Sequence, residues 1–290
     1  MPMAENPNSL LRTWLTRQVP QAGMAWLHGQ LEKLSGTLAD RNIHIAFGLI
    51  PRRMVRDDLK LTQSDLANAQ AARPGWNPQG WSLDEAARVL LLCHVAARYK
   101  DFPALFTDLC RTADVQEAVA LYKGLPLYPA PKALVAQAAE GVRTNMRSVF
   151  EAVAHNNPFP REFFDQDQWN QMVLKALFIG STLAPIQGLD ARANRPLAEI
   201  LCDYAHERWA AGRPITPELW RCVGPFAEGA ALQDLKRALT STDENERKGA
   251  ALALSSGPGA EAKAAFNSVP ELAALIADGR LTWQSLHTRP

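Results

Sequence analysis

Ser82-Leu-Asp-Glu-Ala-Ala-Arg-Val-Leu-Leu-Leu-Cys-His-Val-Ala-Ala97 is the stretch on which the fold turns. Ser82 and Glu85 stand at the spacing of a capping box, in which a hydroxyl and a carboxylate each satisfy a backbone N–H that the first helical turn leaves over. Trp81 and Ala86 flank that box at the spacing of a hydrophobic staple. Beyond the cap, apolar residues cover almost the whole circumference at 100° per residue. Such a helix belongs in the middle of a fold.

On either side of it helical signals recur, and alternating β-branched runs bounded by turns do not. Thr216-Pro217-Glu218 predicts an N-cap, a proline at the first helical position and an early carboxylate. Asp243 predicts another helix start, and Gly257-Pro258 its end. The stretch over 70–80, with Pro74, Gly75, Pro78 and Gly80, reads as a loop. The segment 124–131, Gly-Leu-Pro-Leu-Tyr-Pro-Ala-Pro, cannot be regular helix. Its Leu125, Leu127 and Tyr128 favour a packed crossover over a free linker, although a subdivision there stays open. Over 229–256 the pattern resembles a HEAT-type helix pair. Leu232, Leu235, Ala238 and Leu239 lie on the first helix, and Asp243, Arg247, Ala250, Ala253 and Leu254 on the second. The last residues, 285–290, are expected to fray. The expected fold is all-α: an irregular array of stacked antiparallel helix pairs with a HEAT-like C-terminal unit, in a single domain over 1–290.

The chain has 31 basic and 30 acidic residues and no block of like charge, so the basic stripe of a nucleic-acid binder is missing. The densest basic cluster, Arg52, Arg53 and Arg56, reads as a solvated helix end. The four cysteines, Cys93, Cys110, Cys202 and Cys222, have no C-x-x-C spacing and sit in apolar helical stretches, so they read as small buried hydrophobes. The start of the chain lacks the layout of a secretory signal, and no apolar run is long enough to span a bilayer. A cytoplasmic location follows as the expectation. No nucleophile elbow, phosphate loop or dinucleotide fingerprint is found, so no cofactor is expected. His206 shares a helical face with Cys202 and Asp203, a spacing that can seed a metal site. With no second histidine pair nearby, a solvated or helix-packing role is preferred and no metal is expected. His155 reads as a helix-end histidine and His94 as a satisfied core histidine.

Three hydrophilic residues fall on apolar arcs. A helix predicted over 134–154 carries Leu134, Ala138, Val142, Val149 and Val153 on one arc, and Asn145 lies inside it. In a helix over 168–183, Asn170 projects between Leu174 and Leu177. In a helix over 195–211, Arg208 lies near the middle of the arc formed by Leu197, Ile200, Leu201, Tyr204 and Ala205. A buried amide without partners costs about 1–3 kcal/mol, and an unpaired charge more. These residues therefore need internal partners, with Glu140, Asp190, Asp203 and Glu207 as candidates, or they line a ligand pocket.

Five ordered blocks in the same region carry a resemblance to a known family. They are Glu140-Gly-Val-Arg-Thr-Asn145, Asn157-Pro-Phe-Pro160, Trp169-Asn-Gln-Met-Val-Leu-Lys175, Gly188-Leu-Asp-Ala-Arg-Ala-Asn194 and Asp203-Tyr-Ala-His-Glu-Arg-Trp-Ala-Ala-Gly-Arg213. Weaker matches run through Trp76-Asn-Pro-Gln-Gly-Trp81, Ala113-Asp-Val115 and Leu121-Tyr-Lys-Gly-Leu-Pro-Leu127. Together they resemble the EboA family, the metabolite traffic proteins. The resemblance implies a gene cluster that also encodes a UbiA-like membrane prenyltransferase, a cyclase similar to dehydroquinate synthase, TIM-barrel proteins and a phosphatase-like protein. It implies a role in making or exporting a secondary metabolite, and no specific reaction.

Two readings of function follow. In the first, the chain is a non-catalytic accessory protein that binds a small metabolite, the UbiA-like prenyltransferase or another protein of the cluster. In the second, it is an enzyme acting on a cyclitol- or isoprenoid-linked intermediate. There Arg208 and Lys175 would hold a phosphate or carboxylate, and Asp190 or His206 would move a proton. The candidate ligand-binding set is Asn145, Asn170, Lys175, Asp190, Arg192, Asn194, His206, Glu207 and Arg208.

Overall fold

A computed structural model of the protein describes residues 6–36 and 38–286. Among them every regular element is a helix, and the one β-type pairing is an isolated antiparallel bridge between Asp58 and Ser82. The fold class is therefore all-α. The chain divides into two compact units, Met1–Gln168 and Trp169–Pro290, so the division falls after the 124–131 segment.

In the first unit the helices are α1 (Pro7–Gln18), α2 (Gln21–Lys33), α3 (Asp40–Arg53), α4 (Gln63–Ala72), α5 (Leu83–Ala96), α6 (Phe102–Thr112), α7 (Val115–Lys123), α8 (Pro131–Arg143), α9 (Arg147–Ala154) and α10 (Phe159–Phe163). The quoted stretch forms α5, and its capping box is present. Every α5 residue except His94 is buried, and the helix packs against α1, α2, α3 and α7. His94 is half-buried, with its Nε2 3.0 Å from the Ser35 hydroxyl. Arg88, 1 % exposed, is held on this central helix by Asp84 at 3.1 Å, Glu117 at 3.9 Å and the Phe47 ring at 5.3 Å. Asp65 ties α4 to α1. Its carboxylate accepts from the Trp14 indole at 2.9 Å, from Arg17 at 2.8 Å, and from the Thr62 backbone and hydroxyl at 2.9 and 2.8 Å. The proline-rich segment is packed within this unit as a 3₁₀ turn, Leu125–Leu127, with Leu125, Pro126 and Tyr128 buried.

The helix predicted over 134–154 is two helices, α8 and α9. The Thr144 hydroxyl accepts from the Met146 N–H at 3.1 Å, a local turn that competes with helical bonding, and Thr144 is extended (ψ 153°). Asn145 therefore sits exposed on a bend, off any helical arc.

In the second unit, the division lies within α11 (Gln166–Phe178), which stops five residues short of the predicted end at 183. It is followed by α12 (Arg195–Ala210), 3₁₀ segments Pro217–Cys222 and Gly224–Phe226, α13 (Gly229–Leu239), α14 (Glu244–Ser255), α15 (Gly259–Asn267) and α16 (Pro270–Ala277). The Asp243 cap is present and accepts from Asn245 and Glu246. Helix α14 is the hub, packing against α13, α15, α16 and both 3₁₀ segments. Two glycines permit its close approach to the 3₁₀ segments: a Cβ at Gly224 would lie 2.5 Å from the Ala253 carbonyl oxygen, and one at Gly249 2.7 Å from that of Pro217.

The predicted cap at Thr216 is corrected. The Thr216 side chain makes no capping bond, and a 3₁₀ segment follows it in place of an α-helix. Glu218, 1 % exposed, turns inward and accepts from the Leu183 and Ala184 N–H groups at 3.0 and 2.7 Å. Of the tail expected to fray, Ser285 is instead bonded in a turn to Thr282, and 287–290 lie outside the described residues.

Candidate functional site

Two adjoining depressions open on the first unit, with volumes of about 310 and 320 Å³. Gly80, Glu85 and Gln116 line both. Arg56, Asp57, Asp58, Ser82 and Asp84 complete the first. Lys123, Trp81, Ser148, Glu151 and Asn156 are among those completing the second.

Local geometry fixes these walls. The chain after α3 is clamped to the start of α5 by two backbone bonds, Leu59 N–H to the Trp81 carbonyl at 2.8 Å and Leu83 N–H to the Asp57 carbonyl at 2.9 Å. These bonds hold Asp57 and Asp58 beside the α5 N-terminus. Gly80 turns the chain into that pairing with φ +75°, a conformation that disfavours any side chain. The Glu85 side chain closes the capping box through one oxygen: Oε2 accepts from Ser82 N–H at 2.8 Å and from the Lys123 ammonium at 2.7 Å. Lys123, the last residue of α7, also reaches the Gly80 carbonyl at 3.4 Å. The Asp84 carboxylate accepts from the Ser82 hydroxyl at 2.7 Å and from Arg88 at 3.1 Å. Burial pulls the pKa of the Arg88 guanidinium below its ordinary value, against the raising effect of Asp84 and Glu117.

None of the nine residues named from the sequence lines either depression. Asn145 is on the first unit, at the exposed bend described above, and the other eight lie on the second. Asn170, 4 % exposed, exchanges two amide bonds with Asn194, at 3.2 and 2.9 Å. Asn194 also caps α12 by accepting from Leu197 N–H at 2.9 Å. Arg208 donates twice to the Pro214 carbonyl, at 3.1 and 2.8 Å, and so closes the turn after α12. The acidic partners expected for these residues pair elsewhere: Asp190 with Arg221 at 2.6 and 2.7 Å, and Glu140 with Arg143. Arg192 stacks over the Trp169 ring at 4.5 Å, and Lys175 over Phe178 at 5.5 Å. Glu207 is exposed. His206 is half-exposed, with Nε2 2.7 Å from Asp234 and its ring 5.8 Å from Trp209. No group of three histidine, cysteine, aspartate or glutamate side chains among the described residues is arranged to hold a metal ion. The structure thus brings Asn170 and Asn194 together, and it sets Arg208 and His206 on contacts of their own.

Glu85 as a wall residue, Lys123 and Asp234 were not anticipated. Lys123 and Glu85 are 38 positions apart, and His206 and Asp234 are 28 apart, so no helical period links them. The one available signal was that the segments 76–81 and 121–127, quoted above for the resemblance, supply Gln79, Gly80, Trp81 and Lys123 to the second depression.

Burial pushes the thiols of Cys93, Cys110, Cys202 and Cys222 up to about 12, which keeps them protonated at neutral pH. No helix among the described residues is long and apolar enough to cross a membrane.

In comparisons with known proteins, no curated protein and no solved structure matches the chain. The model of one family, described as metabolite traffic protein EboA, matches residues 7–224, a span that covers the first unit from Pro7 onward and the second as far as Gly224. The chain therefore belongs to the EboA family of metabolite traffic proteins.

Proposed function

We propose that this chain is a non-catalytic accessory protein of a secondary-metabolite pathway, and that it binds a small polar metabolite in the paired depressions of its first unit. The observation that carries the reading is the pair of polar hollows sharing Gly80, Glu85 and Gln116, with walls held by backbone pairing and an ion pair rather than by mobile side chains. A pre-formed hollow of a few hundred Å³ is the usual form of a small-molecule site. The family description supports a metabolite-related role. The buried, protonated cysteines favour binding over thiolate chemistry. A cytoplasmic protein of this kind would hand its ligand to a pathway enzyme, and the resemblance points to the UbiA-like membrane prenyltransferase as recipient.

The test uses Gln116, which is exposed and lines both depressions. Purified protein is incubated with a small-molecule extract from a host that makes the metabolite, and retained compounds are identified by mass spectrometry. The wild type should retain a compound that Gln116→Trp does not, with both proteins unfolding at the same temperature. Equal retention by the two, or an empty wild type, would overturn the proposal.

A further inference from the structure

Helix α3 presents an outer face that the packing of the first unit does not explain. Its inward side is the buried arc of Ile43, Ala46, Phe47 and Ile50. At 100° per residue, the opposite side carries Arg41, Ile45 and Arg52 within about 40° of one another. All three are exposed, Ile45 by 48 %. Arg53 flanks them, and the segment that follows exposes Val55, by 43 %, and Arg56. No hydrogen bond or ion pair among the described residues reaches the side chains of these four arginines. A helix end accounts for Arg52 and Arg53, because cations in a last turn meet the negative end of the dipole. Arg41 stands in the first turn, where the dipole opposes it, and the adjacent Asp40 is taken by the Tyr99 hydroxyl. The carboxylates that α6 and α7 bring to α3 are engaged as well, Asp108 with His44 and Arg111, and Glu117 with Arg88. Asp57 and Asp58, exposed just beyond Arg56, bound the cationic surface on that side.

Three properties narrow the partner. Arg41 and Arg52 are separated by about 17 Å of helix, at 1.5 Å per residue, too far for one small anion. Ile45 and Val55 stand singly among the arginines, so a protein helix or groove is offered no continuous apolar stripe. Phe47 is buried and His44 is paired with Asp108, so α3 leaves no ring free for a nucleobase to stack on. An anionic bilayer fits all three: its charged headgroups recur across the surface, and single aliphatic side chains enter the boundary between them. We infer that this face of α3 docks on an anionic lipid surface. Arg41, Arg52, Arg53 and Arg56 meet headgroups, and Ile45 and Val55 enter the interface. The association is peripheral, since no helix among the described residues is long and apolar enough to cross a membrane. The inference does not depend on the depressions being the metabolite site.

The experiment sediments the full chain with vesicles, either of phosphatidylcholine alone or of about two parts phosphatidylcholine to one part phosphatidylglycerol. The chain should pellet with the anionic vesicles only, and added salt should release it. Each arginine near such a surface is worth about fivefold in partitioning, so Arg41→Gln/Arg52→Gln should weaken binding about tenfold or more. Both side chains are exposed and unbonded, so this variant should unfold at the wild-type temperature. Arg41→Lys/Arg52→Lys keeps the charge and should keep the binding. Ile45→Asn tests the apolar contribution separately and should weaken binding about threefold or more. Equal pelleting with the two lipid mixtures, no pelleting with either, or binding indifferent to the glutamine pair or to Ile45→Asn would overturn the proposal. So would binding of a single-stranded oligonucleotide that the glutamine pair abolishes, with the anionic vesicles left bare.

Discussion

Replacing Asp65 by asparagine should destabilise the first unit by about 2 kcal/mol near neutral pH, and the loss should fade in acid. Asp65 is 6 % exposed, and its carboxylate takes four hydrogen bonds. Burial alone would raise its pKa, but Arg17 and the backbone and hydroxyl of Thr62 outweigh it and lower the value from 3.8 to about 2. A drop of nearly two units at about 1.4 kcal/mol per unit gives about 2.5 kcal/mol, and solvent screening brings it to about 2. Arg17 is 45 % exposed, so its share is screened and the figure is nearer a ceiling than a floor. Asparagine can still accept from the Trp14 indole, but its NH₂ must face the Thr62 N–H. Alanine would also strand the buried indole, at about 1–3 kcal/mol more. Because the folded pKa is depressed, the stabilisation is fully present above the unfolded value and is lost as pH falls through the folded one. Urea unfolding followed by circular dichroism should therefore show wild type and Asp65→Asn well separated near neutrality and converging between about pH 4 and pH 2. A separation below about 0.5 kcal/mol near neutrality, or one that stays constant down to the acid limit, would refute the reasoning.

The remaining predictions concern packing and thiol chemistry. Gly224→Ala places a Cβ 2.5 Å from the Ala253 carbonyl oxygen, backbone against backbone, and should cost about 1–3 kcal/mol; an unchanged melting temperature would count against that contact. With thiols at about 12, the thiolate fraction near pH 8 is on the order of 10⁻⁴. Ellman's reagent should accordingly react slowly with all four cysteines in native protein and rapidly with all four in denaturant. Cys93, Cys202 and Cys222 are buried and Cys110 partly so, and one fast native equivalent would count against that placement.

How much of this could be read in the sequence depended on the distance over which each determinant acts. The Ser82–Glu85 box and the Asp243 cap are complete within three residues, and both are in place. The interior position of α5 followed from apolar cover all round, a property of the helix alone. Periodicity misled over 134–154, where the arc continues in phase while the Thr144 hydroxyl diverts the backbone and takes Asn145 out of the arc. Glu218 looked like a first-turn carboxylate because nothing local shows that the Leu183 and Ala184 N–H groups, 35 and 34 positions away, need an acceptor. The sequence offered carboxylates as partners for Asn170 and Arg208; Asn170 exchanges hydrogen bonds with the Asn194 amide, and Arg208, only partly buried, donates to the Pro214 carbonyl. The depressions were illegible for the same reason: their walls meet through Leu59–Trp81, Leu83–Asp57 and Glu85–Lys123, none of which a periodic pattern encodes.

The close seating of α14 on the 3₁₀ segments has a practical consequence for where this chain can be divided. The family match ends at residue 224, yet Leu219, Trp220 and Cys222 just before that point are buried, and α14 from beyond it lies against their segment. Cutting at the edge of recognisable kinship would strip a tryptophan and its neighbours of their cover and leave a sticky, insoluble stump. The unit of inheritance and the unit of folding have different borders here, and expression work should respect the second.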